Sequence, residues 1–154
     1  LATGSVDGTA KVWRLVDTAD STVATCVATL AGHKGFVTSI AFHATEPLLA
    51  TGSNDNTAKV WRLSKDGMTA TCVATLKEHS YSVSSVAFHP RLLFLATGSY
   101  DTTAKVWRIS PDYSAATCEA TLAGHSRTVT SVAFHPSEHV LATSSWDNTV
   151  KLWK

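Results

Sequence analysis

A chain of 154 residues with 44% hydrophobic and 16% charged side chains can fill a core, which excludes an intrinsically disordered segment. A net charge of +1 carries no electrostatic footprint for nucleic acid or an acidic membrane, so neither is expected as a partner. No apolar run approaches the ~18 residues of a membrane span, and no signal peptide opens the chain.

The first phrase, Leu1-Ala-Thr-Gly-Ser5, returns at Leu49 and Leu95, and at Leu141 as Leu-Ala-Thr-Ser-Ser. The chain thus opens without Met inside a patterned segment, as expected of a piece of something longer. Trp13, Trp61, Trp107 and Trp153 follow at spacings of 48, 46 and 46, and His33, His79 and His125 recur every 46. Leu49–Phe94 and Leu95–Val140 share 29 of 46 positions, the mark of one duplicated unit. The two extra residues of the first repeat fall between Trp13 and Cys26, a polar stretch read as a loop.

Within a unit four phrases read as strands. Phe36–Phe42 alternates and is β-branched. Leu48–Ser53 follows, then the turn signal Asn54-Asp55-Asn56, then Thr57–Leu63. A loop with Lys65-Asp66-Gly67 leads to Ala70–Leu76. Short runs rich in Val, Thr and aromatic residues, bounded by Gly, Asp and Asn, predict strands. No window carries a 3.6-residue apolar period, so helices are not expected. We label the four strands of a unit a to d. The count is then b-c-d, a-b-c-d twice, and a-b-c, or 14 strands.

Cys26, Cys72 and Cys118 repeat every 46 residues in near-copies of one phrase. Equivalent positions of successive units lie too far apart for a disulfide, and an odd number leaves one thiol unpaired. Reduced, mostly buried thiols of an intracellular, most simply cytoplasmic, protein are expected.

The chain resembles the WD-repeat family. The residues that carry the likeness are Gly32-His33 and Gly124-His125, the turn residues Asp55, Asp101 and Asp147, and the closing Trp61, Trp107 and Trp153. Glu78-His79 departs from Gly-His, and Arg14, Arg62, Arg108 and Lys154 stand where the family has Asp after Trp. The resemblance implies an all-β fold, a β-propeller of four-stranded antiparallel blades. This chain would hold about three and a half blades, an incomplete ring on its own. Residues 1–154 would form one propeller segment, with units at about 1–32 (partial), 33–78, 79–124 and 125–154 (partial).

The resemblance also implies a structural network in each blade. His33 would bridge Asp55 and Thr51 (or Ser53), with the Trp61 indole outermost. The matching sets are His79, Thr97, Asp101, Trp107 and His125, Thr143, Asp147, Trp153. The first unit has Thr3, Asp7 and Trp13 but no histidine.

Ser/Thr, His and Asp are also the residue types of catalytic triads. A grouping that occurs three times, with its hydroxyl and Asp also in the first unit, reads as a stabilising network instead, and no Gly-x-Ser-x-Gly turn is present. No enzyme and no cofactor are therefore expected. Six of the seven histidines obey the period, His43, His89 and His135 among them, and only His139 is unique. No metal-ligand spacing occurs, so no metal site is expected. The Lys-x-x-Arg/Lys stripe on strand c (Lys11/Arg14, Lys59/Arg62, Lys105/Arg108, Lys151/Lys154) is read as face packing or a solvated rim.

Function is sought where copies differ. Strand direction puts the d–a and b–c loops on one rim. There Phe36, Tyr81, Asn54, Tyr100, Arg127 and Trp146 diverge, mostly to residue types that anchor interfaces. The first reading is a non-catalytic scaffold that binds a protein or peptide on this rim. The alternative is a structural unit whose blades stack on further copies in a homo-oligomeric ring or filament.

Overall fold

Runs of β-branched residues cut every few positions by Asp, Asn and Gly permit only short strands joined by tight turns. The computed structural model, which describes residues 1–154, shows fourteen strands in four antiparallel sheets and no helix. The first sheet holds β1 (Ala2–Gly4), β2 (Thr9–Asp17) and β3 (Thr22–Ala31). The second holds β4 (Val37–Phe42), β5 (Leu48–Ser53), β6 (Ala58–Leu63) and β7 (Ala70–Leu76). The third repeats this with β8 (Val83–Phe88), β9 (Phe94–Ser99), β10 (Ala104–Ile109) and β11 (Ala116–Leu122). The fourth holds β12 (Val129–Phe134), β13 (Leu141–Ser145) and β14 (Val150–Trp153). Each sheet is a meander in sequence order, a WD-type blade.

The stretch between Trp13 and Cys26 departs from its expected loop. β2 and β3 run on through it, with Val16 facing Val23, and only residues 18–21 turn the chain. Leu15 and Val16, paired with Ala24 and Val23, carry the ladder beyond the length used in the other blades.

The b–c turn has one recurring backbone feature. Its last residue has a positive φ: 81° at Gly8, 68° at Asn56, 74° at Thr102 and 66° at Asn148. Gly and Asn tolerate that region, whereas β-branched Thr102 is held there at a cost of roughly 1 kcal/mol. The hydrogen bonds of the preceding Asp hold the turn in every blade.

Blades meet through their a and b strands. The Thr38 hydroxyl donates to the Val83 carbonyl of the next blade at 2.5 Å, and Ser84 to Val129 likewise. In return Val86 N–H donates to Ser39 Oγ at 3.1 Å, and Val132 N–H to Ser85 Oγ at 3.2 Å. The approach is close because strand b carries glycine at the seam. A Cβ on Gly52 would lie 2.8 Å from Val83 Cγ1, and one on Gly98 would lie 2.8 Å from Val129 Cγ1. Around each junction the core is buried between blades. Leu48, Val60 and Leu76 of the second blade pack on Val83, Phe88 and Trp107 of the third.

The cysteines correct the expectation of mostly buried thiols. Cys26 and Cys72 are exposed and Cys118 is half-buried. They stand on strand d, the outermost of the blade, beside a bulge that breaks the register between Val60 and Trp61 and its equivalents. Neighbouring blades come close at strand a and stand apart at strand d, so little packs over the faces of d that carry the thiols.

A candidate interaction face

The period places one hydrogen-bonded chain in each of the last three blades. In the second, Trp61 Nε1 donates to Thr51 Oγ1 at 2.9 Å. Thr51 Oγ1 lies 2.7 Å from His33 Nε2, and His33 Nδ1 lies 2.9 Å from Asp55 Oδ2. The third blade repeats it through Trp107, Thr97, His79 and Asp101, the fourth through Trp153, Thr143, His125 and Asp147. In the first, Trp13 Nε1 donates to Thr3 Oγ1 at 2.9 Å, and Asp7 holds only its own turn. Ser53 takes a separate part, donating to Gly35 O and accepting from Asp55 N–H.

Donor chemistry orders the protons along this chain. An ionised Asp55 only accepts, so His33 Nδ1 carries a proton. The indole N–H only donates, so Thr51 Oγ1 accepts from it and sends its own proton to an unprotonated His33 Nε2. Every donor then has an acceptor, and no buried side-chain N or O atom in the protein lacks a partner. A proton added at Nε2 would strand the Thr51 hydroxyl proton.

The acidities agree with this order. Burial depresses the basicity of His33 and His79, outweighing the Asp carboxylates beside them. Burial also opposes ionisation of Asp55, but bonds from Thr57, Lys34 N–H and His33 outweigh it and lower its pKa to about 2. Asp101 is lowered for similar reasons, and the Thr149 hydroxyl leads the donors that lower Asp147.

Both kinds of group give stability the same sign. The unfolded chain takes up protons that the folded histidines refuse, so stability is whole above about 6.5, their ordinary value, and is lost below it. A second loss is expected between 3.8 and about 2, where Asp55 titrates. Melting temperatures measured from pH 7.5 to 5 are expected to fall, and a flat or rising profile would contradict the proton order.

This chain of bonds anchors the rim. Asn54 N–H donates to Phe36 O at 2.9 Å, Tyr100 N–H to Ser82 O at 3.0 Å and Trp146 N–H to Thr128 O at 3.0 Å. Each b–c turn is thereby tied to the d–a loop of its own blade. The Asn56 amide reaches Ser80 O of the next blade at 3.3 Å, so neighbouring loops share one face.

On that face Phe36, Tyr81, Tyr100 and Trp146 are 51%, 64%, 44% and 55% exposed. Tyr100 and Trp146 come together edge to face across the seam of the third and fourth blades, 5.4 Å between centroids. Phe36, Tyr81, Asn54 and Arg127 are exposed as well, and Asn54 is joined to Phe36 through the backbone. The Tyr–Trp contact was missed from sequence. Its one signal was that the two residues occupy the same turn position of adjacent units. The Thr57 hydroxyl, 2.6 Å from Asp55 Oδ1, was also missed, although Thr9, Thr103 and Thr149 repeat it in the sequence.

The strand c stripe divides in two. Lys59 and Lys105 lie along the blade and donate to Thr75 and Thr121 of strand d. The arginines lie at the opposite end of strand c, by the a–b and c–d loops, where Arg62 and Arg108 lie over Tyr113 and Phe94. His139 stacks on His89 with centroids 5.9 Å apart, at the seam of the last two blades.

Antiparallel sheets of three or four strands, three of them pinned by an Asp–His–Thr–Trp chain and all packed side by side, define an all-β blade-repeat protein. The family model described as WD domain, G-beta repeat matches residues 24–62, 70–108 and 116–154, and the chain belongs to that family. Each matched unit runs from strand d of one blade to strand c of the next. Members of the family are typically protein-interaction scaffolds and usually non-catalytic. No curated relative matches the chain.

Proposed function

We propose that the chain is a non-catalytic scaffold that binds a protein or peptide on its d–a/b–c loop face. The Tyr100–Trp146 pair carries this reading. Two large rings, paired by contact, keep about half their surface in water on loops that the buried chains hold rigid. Exposed aromatics on a pre-organised scaffold favour binding, because little entropy is lost on contact. Phe36, Tyr81, Asn54 and Arg127 flank the pair on the same face. Catalysis is disfavoured by burial. Thr51, Thr97 and Thr143 are sealed from solvent, so no substrate reaches the hydroxyl beside each histidine. Three unpaired thiols accord with an intracellular setting.

A second reading, self-association through the fourth blade, rests on a different observation. Val150 and Leu152 of β14 are exposed, and a separate apolar cavity of about 340 Å³ opens at the seam of the third and fourth blades between Phe134, Leu122 and Trp153.

One experiment separates the readings. Peptides selected from a displayed library on the wild-type chain are expected to lose at least tenfold affinity for Tyr100→Ala/Trp146→Ala. Stability should fall by about 0.5–1.5 kcal/mol, the worth of an aromatic pair. Unchanged peptide affinity would refute the site. Sedimentation of both proteins as a discrete multimer, with no peptide selected, would favour self-association.

A further inference from the structure

Strand c carries a lysine in each blade, and in the second and third the environment of that lysine differs in an informative way. Lys59 Nζ donates to Thr75 Oγ1 at 2.9 Å, and Lys105 Nζ to Thr121 Oγ1 at 2.8 Å. In the third blade Glu78 precedes the histidine, and its carboxylate lies 3.5 Å from Lys105 Nζ, a buried lysine. In the second blade that position is Gly32. A Cβ built there would stand 3.7 Å from Lys59 Cε and 3.4 Å from the Trp61 ring, so a side chain at this point lies against the lysine. Glycine leaves the place open, and half-buried Lys59 takes part in none of the salt bridges of the protein.

A cation drawn partly out of water is unfavourable without a counter-charge. The third blade meets this with its own carboxylate. The second adds positive charge instead. Lys34 and Lys77 line the same notch of about 250 Å³, together with Gly32, Asp55, Thr57 and Thr75. The third blade has Ser80 and Ala123 at the matching places. Asp55 offsets only one of the three charges and has no lone pair left for an ammonium group. Its Oδ2 accepts from His33 and Lys34 N–H, and its Oδ1 from Thr57 N–H and Oγ1. Three lysines therefore line a notch whose one carboxylate is already fully bonded.

We propose that this notch binds a carboxylate from outside the chain, a glutamate or aspartate side chain of an acidic peptide, seated where Glu78 sits in the third blade. Lys59 would hold the anion from below with the two donor protons that Thr75 leaves free. Lys34 and Lys77 would close over it from the loops. The inference deepens the reading of the loop face, on which it rests only for the ligand being a peptide, and its test needs no natural partner.

The probes are an acetylated tetraglutamate amide and, separately, inorganic phosphate, titrated into the whole isotopically labelled chain and followed by amide NMR. Saturable shifts at Gly32, Lys34, Thr57 and Thr75 are expected with the peptide. They should weaken as salt rises, and by about fivefold or more in Lys34→Ala/Lys77→Ala, whose two lysines are exposed and make no side-chain hydrogen bond or salt bridge. Lys59→Met should abolish them. Tyr100→Ala/Trp146→Ala should bind the peptide as the wild type does, so failure of the notch and failure of the aromatic face are separate results. No saturable shift, binding by phosphate alone, or binding indifferent to all three lysines would overturn the proposal.

Discussion

Trp107→Ala is expected to destabilise the protein by about 3–5 kcal/mol, a drop of roughly 6–20 °C in Tm for a domain of this size. The side chain is 3% exposed and lies in the core shared by the second and third blades. Its loss leaves a cavity among Leu48, Val60 and Phe88, and also removes the donor to Thr97 Oγ1. Trp107→Phe separates the two effects. It keeps most of the packing and loses only the N–H, at about 1–3 kcal/mol. Thermal unfolding of both variants checks this. A loss below 1 kcal/mol for the alanine variant would mean that the indole does not anchor the blade.

Gly52→Val is expected to cost about 1–3 kcal/mol by forcing the second and third blades apart. Its Cβ would meet Val83 Cγ1 at 2.8 Å and Val86 Cγ1 at 3.2 Å, both from the facing strand. The chain carries its own control. Ser144 occupies the matching place on β13, where the hydroxyl instead lies 2.9 Å from Thr130 Oγ1 within the blade, and no further blade covers it. Ser144→Val should therefore cost about 1 kcal/mol or less, the value of one lost hydrogen bond. Denaturant midpoints of the two variants give the comparison. Equal losses would show that seam crowding is not what selects glycine.

The blades were legible in the sequence because their defining residues are locked to strand register. Thr51 pairs with Lys59, and Leu49 with Trp61, so the Trp ring reaches back to the Thr hydroxyl ten positions before it. A bond of that kind repeats wherever the register repeats, and the 46-residue period makes it visible. The loop face was legible as well, since strand direction alone puts the d–a and b–c loops together.

Features set by side-chain direction across a seam were not legible. Nothing in the spacing of Tyr100 and Trp146 says that their rings turn toward each other. The thiols were placed inside because Cys is usually buried. The register shift opposite Trp61 and the wide spacing of neighbouring blades at strand d leave them open. Glu78 read only as a departure from Gly-His, until the Lys105 ammonium was found beside its carboxylate. The run of Leu15 and Val16 beyond Trp13 read as loop because its partner, Val23, lies across a turn only four residues long.

The central claim is that the repeated histidines are structural links of fixed proton order, which leaves recognition to the loops. Nitrogen NMR of the His33 and His79 imidazoles at pH 7 tests it most directly. The account predicts neutral rings protonated at Nδ1, with Nε2 accepting from Thr51 and Thr97. Rings protonated at Nε2, or imidazolium at that pH, would contradict it.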